Sequence, residues 1–337
     1  MPPTDAPRPR SAAAGPPADA PRTFVITGAL GAIGAWTMRS LLDRGHRVIA
    51  LDLGGDGHRL ALALTPEQRE AVVRVDGDIT ELATVETVLA EHEADGVIHL
   101  AALQVPFVRA DPVRGAAVNV LGTVNVLEAV RRRAGMGPVV YASSIAVYGP
   151  GGTRHAGDAP GTLYGVFKRD NEATALRYHE DFGVSSIGLR PHTVYGPARD
   201  QGVTSAPTVA MLAAAAQTPY RIPFGGTFQL QYAPDVGEVF ARAALLSYAG
   251  ACVHDLDGDA VTIGEVVAMI EAAAPEAAGL ISVGDGALPL VGAVDGSSLV
   301  ALLGGSAMRP AREGIADAIA RFRLLLDAGL VTVPELA

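Results

Sequence analysis

Residues 23–34 read Thr23-Phe24-Val25-Ile26-Thr27-Gly28-Ala29-Leu30-Gly31-Ala32-Ile33-Gly34. The first five form a short apolar run that stops at a glycine, the pattern of a buried parallel strand. Three glycines spaced by three then open an amphipathic stretch over 36–44. In a strand, turn and helix of this kind the glycines permit a tight turn, and a pyrophosphate can approach the helix N-terminus closely. The spacing is G-x-x-G-x-x-G and not G-x-G-x-x-G, so the turn alone is a weak signal and its surroundings decide.

Outward from the turn, strands and helices alternate. Runs at 47–51, 72–75, 96–100, Val139–Ala142 and 185–189 predict further strands. Between them, 81–93, 113–133 and Leu163–Phe182 are amphipathic. This rhythm predicts an α/β fold: a Rossmann-type, doubly wound parallel sheet over 22–190. After Arg190 the rhythm breaks. Helices at 206–217, 236–248 and Ile263–Ala273 are joined by Pro- and Gly-rich segments, which predicts a smaller substrate-binding lobe over 191–337, with 228–250 returning to the first domain. Residues 1–21 hold seven prolines and no large apolar residue beyond Met1, and read as a disordered tail without a secretory pattern.

The 337 residues carry 26 basic and 36 acidic side chains, a net charge of −10. That balance argues against a nucleic-acid binder or a binder of anionic membranes. Hydrophobic residues make up 49%, enough for a large core. The single cysteine, Cys252, leaves no intramolecular disulfide and no thiolate cluster. No uninterrupted, strongly apolar stretch reaches the roughly 18–20 residues of a membrane span. Together these describe a cytoplasmic enzyme-sized protein. Of the 26 basic residues, 25 are arginine and the only lysine is Lys168. A position that stays lysine against such a bias needs a compact ammonium on a slim stem.

Asp52 ends the second strand, 24 residues after Gly28, where an acid can accept both ribose hydroxyls and would repel a 2′-phosphate. This favours NAD over NADP. Asp78, after the third strand, contacts the adenine or caps a helix. Further along, Tyr164 and Lys168 are four residues apart and share one helix face. Tyrosine, with a pKa near 10, is a poor base at neutral pH. A neighbouring ammonium favours its phenolate.

With these motifs in place, the chain resembles the extended short-chain dehydrogenase/reductase family, the NAD-dependent epimerases and dehydratases that include UDP-glucose 4-epimerase. The resemblance runs over about 23–250. It takes in the glycine turn, His99-Leu100-Ala101-Ala102, Asn119 in Asn119-Val120-Leu121-Gly122-Thr123, Ser143-Ser144, the Tyr164/Lys168 pair and Arg190-Pro191-His192-Thr193-Val194-Tyr195-Gly196-Pro197. It implies Ser144 as catalytic hydroxyl, with Ser143 the alternative, Tyr164 as proton-transfer residue and Lys168 as its electrostatic partner. It implies a cofactor site from Gly28, Leu30, Gly31, Ala32, Ile33, Gly34, Asp52, Asp78, Ile79, Leu100, Ala101, Ala102, Asn119 and Pro191, with Tyr164 and Lys168. Substrate contacts would come from Gln104, Ser143, Ser144, His192, Arg199 and Phe228.

Two departures bear on activity. Dehydratases of the family carry Thr-Asp-Glu where this chain has Ser143-Ser144-Ile145, which takes elimination of water away from it. Sugar-nucleotide epimerases place a diphosphate-binding arginine seven residues before the aspartate matched by Asp235; here that position is Phe228, with Arg221 or Arg199 as replacements. The resemblance therefore implies epimerisation of a sugar or sugar nucleotide through a keto intermediate. The alternatives are net oxidation or reduction of a non-nucleotide alcohol and, last, a non-catalytic NAD-binding scaffold. A homodimer through the 113–133 and Leu163–Phe182 helices is expected. None of the eight histidines stands at short metal-ligand spacing from another, so no metal is expected. His99 is expected to pack beneath the cofactor region, and His155 and His254 to lie in polar loops.

Overall fold

The computed structural model describes residues 20–133, 135–149, 159–288 and 291–333. His155 and nearly all of the expected tail lie outside them. The chain enters β1 (Thr23–Thr27) and turns into α1 (Ala32–Leu42), then passes through β2 (Arg47–Asp52), α2 (His58–Ala63), α3 (Pro66–Ala71), β3 (Val73–Asp76), α4 (Leu82–Glu91) and β4 (Gly96–His99). Next come α5 (Val105–Ala110), α6 (Pro112–Ala116), a π-helical turn (Ala117–Leu121) and α7 (Gly122–Arg132). β5 (Val139–Ala142), a 3-10 turn (Ile145–Val147), α8 (Leu163–Phe182) and β6 (Ser186–Arg190) close this half. The rest supplies β7 (Thr193–Tyr195), α9 (Ala206–Ala215), β8 (Tyr220–Gly225), β9 (Thr227–Tyr232), α10 (Ala233–Leu245), β10 (Ala251–Asp255), β11 (Asp259–Thr262), α11 (Ile263–Ala273), β12 (Ile281–Ala287), α12 (Ser297–Leu303) and α13 (Ala311–Asp327).

The main sheet is parallel, in the order β10-β6-β5-β4-β1-β2-β3. This is the doubly wound sheet that the alternation predicts. β1 explains its two layers. Phe24 and Ile26 point to one side, into a core with Trp36, Met38, Leu41, Val236 and Phe240; Val25 points to the other, with Val85, Leu89, Val126 and Leu127. Strand order reverses between β1 and β4, and a crevice at such a switch point is where doubly wound sheets bind ligands.

The sequence reading differs from the structure in places. The seventh strand, β10, was not among the expected strands; it is an edge strand whose residues are mostly only half-buried, so it lacks an apolar run. The helix expected over 113–133 is broken by the π turn around Asn119. The run Pro112–Arg132 is long and apolar enough for a membrane span by composition alone, yet more than half of it is buried inside the fold. The second lobe has its own core around Met211, Phe224, Phe228, Leu230, Ile270 and Phe322, between two small sheets and α9, α11 and α13.

Candidate active site

The glycine turn comes first because main chain alone builds it. Gly28 has φ +65°, and a Cβ there would stand 2.5 Å from the Ala101 amide nitrogen. Only glycine lets β1 and the segment after β4 converge this closely. α1 begins at Ala32 behind Gly31, which offers no side-chain cap. The amides of Ala32, Ile33 and Gly34 thus open a helix whose N-terminus suits an anion. Asp52 stands beside the turn: its Oδ2 accepts from the Leu30 N–H at 2.9 Å and its Oδ1 from the Leu53 N–H at 2.9 Å. Each carboxylate oxygen keeps capacity for a further donor. Asp78 Oδ1 accepts from the Thr80 N–H at 2.8 Å, closing an Asx turn ahead of α4, whose N-cap is Glu81. Ile79 is buried against Gly122.

On the β4 side, Leu100, Ala101 and Ala102 are half-buried along the crevice. Asn119, on the π turn, clasps both main-chain groups of Leu103, accepting at 2.7 Å and donating at 2.9 Å. Its role is to hold the segment after Ala102. π turns recur at functional sites because they re-aim one residue in this way. His99 bridges Thr27 and Thr123 at 2.7 and 3.0 Å; burial, with help from the Lys168 charge, pushes it down to about 3 and keeps it neutral.

Ser144, Tyr164 and Lys168 are brought together by the approach of α8 to the 3-10 turn. A Cβ on Gly165 would collide with the Ala146 carbonyl oxygen, so glycine is what allows this contact. Ser144 caps the 3-10 turn, accepting from the Ala146 N–H at 3.1 Å, and its hydroxyl is hydrogen-bonded with the Tyr164 phenol. Lys168 is buried; its Nζ donates to the Ala142 carbonyl at 2.7 Å and lies 5.8 Å from the Tyr164 ring centre. Burial lowers Lys168 to about 8, opposed by Glu172. Burial also raises Tyr164, opposed by the Ser144 hydrogen bond and the charge of Arg199. Ser144 and Arg199 join Lys168 around the phenol, the first by its hydrogen bond, the second by its charge, while the ammonium stands over the ring.

Ser143 is turned away from the cleft. Its hydroxyl donates to Glu172, which also accepts from Arg190 through Nε at 2.7 Å and Nη2 at 2.6 Å. Arg190 Nη1 donates to the Tyr148 hydroxyl at 2.7 Å, and that hydroxyl donates to both Asp255 oxygens at 2.8 Å. Sequence reading missed Glu172, Tyr148 and Asp255; only the step of four from Lys168 to Glu172 could have signalled the first.

At the rim, the Gln104 side-chain oxygen and the Arg199 guanidinium meet around Gly202. Arg199 bonds Thr204 at 3.4 Å, and its Nε is buried with no hydrogen-bond partner among the described residues. Two expected substrate residues are elsewhere. Phe228 is 1% exposed and packs on Phe224 in the second-lobe core. The His192 ring is half-buried and paired with the Val291 carbonyl at 2.6 Å. Pro191 is buried, its carbonyl accepting from the Ile145 N–H at 3.3 Å. Among the described residues, no group of three His, Cys, Asp or Glu side chains could hold a metal ion.

Three likenesses accompany this geometry. UDP-glucuronate 4-epimerase 2 of Arabidopsis thaliana is 32% identical over 184 residues, 52% of this chain and 42% of that protein, so the chain spans less than half the length of this relative. The structure of Thermus thermophilus UDP-glucose 4-epimerase in complex with NAD superposes with TM-score 0.71 and 28% identity, over 89% of this chain and 99% of that one. L-threonine dehydrogenase from Clostridium difficile superposes with TM-score 0.78 over 92% and 99%, at 20% identity, a likeness of fold. The model of the NAD dependent epimerase/dehydratase family matches residues 24–250. The chain belongs to that family.

Proposed function

We propose that this protein is an NAD-dependent epimerase that oxidises a secondary alcohol of a sugar or sugar nucleotide and returns the hydrogen to the other face. The observation that carries the reading is the assembly of Ser144, Tyr164 and the chain's only lysine at the crevice beside the uncapped glycine turn. The turn and the α1 N-terminus would hold the pyrophosphate of NAD, and Asp52 the adenosine ribose. NAD held there would supply the hydride acceptor for the oxidation and the hydride donor for the return.

The chain's own residues do the proton work. Tyr164, as phenolate, takes the hydroxyl proton as the C–H bond breaks, and returns it when the carbonyl is reduced. Ser144 donates a hydrogen bond to the same oxygen as its charge changes. Lys168 keeps a positive charge over the Tyr164 ring, and Arg199 adds a second from the rim. Glu172 and Ser143 lie behind this row, off the reacting face.

Tyr164→Phe tests the assignment. Turnover should fall by roughly 10²- to 10⁴-fold with NAD binding retained, because only proton transfer is lost. Substantial turnover in this variant would overturn the catalytic assignment. Assaying a UDP-sugar against its free sugar with NAD decides the substrate class: interconversion of epimers without net NADH supports epimerisation, and net NADH formation supports a dehydrogenase. The buried Phe228 in place of an arginine is what favours a substrate lacking the diphosphate.

We further propose a cytoplasmic homodimer. Leu121 on the π turn beside α7, and Leu163, Leu176 and Phe182 on α8, are large apolar side chains left exposed on neighbouring helices. Sedimentation at micromolar concentration showing only monomer would remove this proposal.

A further inference from the structure

Tyr164, Lys168 and Glu172 follow one another at steps of four along α8, so they line one face of that helix. The first two reach the crevice. Glu172 goes behind it, where Arg190 grips both carboxylate oxygens at 2.6 and 2.7 Å and Ser143 donates to one of them. The Glu172 and Arg190 side chains are only 12% and 18% exposed, so their charges act through protein and not through water.

We propose that Glu172 is a positioning residue for Lys168: clamped by Arg190 and Ser143, its carboxylate is the counter-charge that keeps the buried lysine side chain an ammonium. The proposal rests on the reading of Lys168 as the partner of Tyr164.

A carboxylate bound to an arginine would ordinarily be quenched for any third group. The next residues in the row prevent that. Asp255, with its side chain 4% exposed, stands 3.7 Å from Arg190 Nη1, and the Tyr148 hydroxyl between them bonds to both. Arg190 therefore divides its charge between two carboxylates, and the charges alternate: Lys168, Glu172, Arg190, Asp255. Among the described residues, the other elements facing Lys168 offer no negative charge. From β4 comes His99, neutral between two threonines; from β5 comes the Ala142 carbonyl; from α8 itself comes the Tyr164 ring. Burial works against the ammonium, and Glu172 is the group that works for it. A clamp that only fastened α8 to β6 would leave the lysine indifferent to the charge of residue 172.

Having a single lysine makes this directly measurable. Protein grown on lysine labelled with carbon-13 at Cε gives one side-chain signal, and its chemical shift titrates with the Lys168 amine alone. In the whole protein, Glu172→Gln should move the midpoint of that titration down by about one pH unit, and Glu172→Asp, which keeps the charge, should restore most of it. The alkaline limb of turnover should move down with the midpoint in Glu172→Gln. The double variant Glu172→Gln/Arg190→Gln removes the carboxylate together with the guanidinium that grips it, leaves Asp255 its bonds from the Tyr148 hydroxyl, and is read wherever the single variant does not fold. A midpoint that stays low in the double variant supports the charge role. A midpoint unchanged in Glu172→Gln, or back at the wild-type value in the double variant, overturns it. Because the titration needs no turnover, a coupled midpoint together with an active Tyr164→Phe would leave this inference standing and remove the proposed function.

Discussion

The crevice has a floor and a rim that are built by different means. The floor is the turn from Gly28 to Gly34 with Ser144, Tyr164 and Lys168, and its geometry comes from main chain: a left-handed glycine, the close contact at Gly165, and the Ala142 carbonyl that accepts from the lysine. The rim is Gln104, Arg199 and Asp200 with His58 and Arg59, side chains from separate segments held by ion pairs and contacts in partly exposed places. Substitutions should therefore hurt unequally in the two places. Altering the floor removes space that nothing else can supply, while altering the rim removes charges that water and salt partly replace.

The largest effect should come from Gly28→Ala. The residue would need φ near +65° and would place its Cβ 2.5 Å from the Ala101 nitrogen. A left-handed alanine costs of order 1–3 kcal/mol, and the contact forces β1 and the segment after β4 apart. Thermal unfolding should occur at lower temperature, and calorimetric titration should show NAD affinity reduced by at least about tenfold, since roughly 1.4 kcal/mol is one decade. Unchanged NAD affinity would mean that the turn does not shape the pyrophosphate site, and the contrast between floor and rim would lose its main support.

This contrast also separates what could be read from the sequence from what could not. The turn is twelve consecutive residues, and Tyr164 and Lys168 are one helical step apart, so local spacing carries both. Asp52 was legible because a strand end fixes where its side chain goes. The role of Glu172 was not. An acid four residues from a lysine is most often a solvated pair, and its partners Arg190 and Ser143 lie 18 and 29 residues away at the ends of other strands. Counting back from Asp235 reached Phe228, but alternation along β9 turns that side chain into the second-lobe core. His192 was misjudged for a similar reason: Val291, 99 residues later, claims its ring. β10 went unseen because Ala251-Cys252-Val253-His254-Asp255, mostly half-buried, lacks the apolar run that marked the other strands of the sheet.

A second test sharpens the account of the floor. Lys168 falls from its ordinary 10.5 to about 8 in the folded protein, mainly through burial. The folded state then binds its proton less readily than the unfolded chain, so below about pH 8 the full penalty weighs on stability, and it fades as pH rises from about 8 to 10.5. That shift corresponds to roughly 3 kcal/mol, less about 1 for the bond to the Ala142 carbonyl that a neutral side chain would forgo. Lys168→Met should therefore be more stable than wild type by on the order of 2 kcal/mol at pH 7, and inactive. The gain should shrink toward zero by about pH 10.5. Urea unfolding at both pH values measures it, and a variant less stable than wild type at pH 7 would show that the ammonium sits comfortably in its slot.

The smallest effect belongs to the rim. Asp200 accepts from Arg59 at 2.8 Å and pairs with His58 Nε2 at 2.9 Å, while Arg59 also reaches the Leu30 carbonyl at 3.4 Å. These contacts tie α2 across the glycine turn to the loop that carries Arg199. The His58 side chain is half exposed, and its pKa is raised first by the bond to Asp200 and then by Asp56. A raised histidine contributes fully below its unfolded value near 6.5 and loses that contribution as pH climbs through its higher folded value. Exposed pairs of this kind are worth about 0.2–1 kcal/mol and are screened by salt. Asp200→Asn should therefore speed NAD release by only about two- to fivefold at pH 6 and low salt. At pH 8.5, where the His58 contribution is smaller than at pH 6, the two proteins should differ less. Stopped-flow displacement of NAD at the two pH values makes the comparison. Equal release rates at pH 6 would show that the crevice is closed by its floor alone, and a far larger acceleration would show that the rim carries more of the site than its exposure allows.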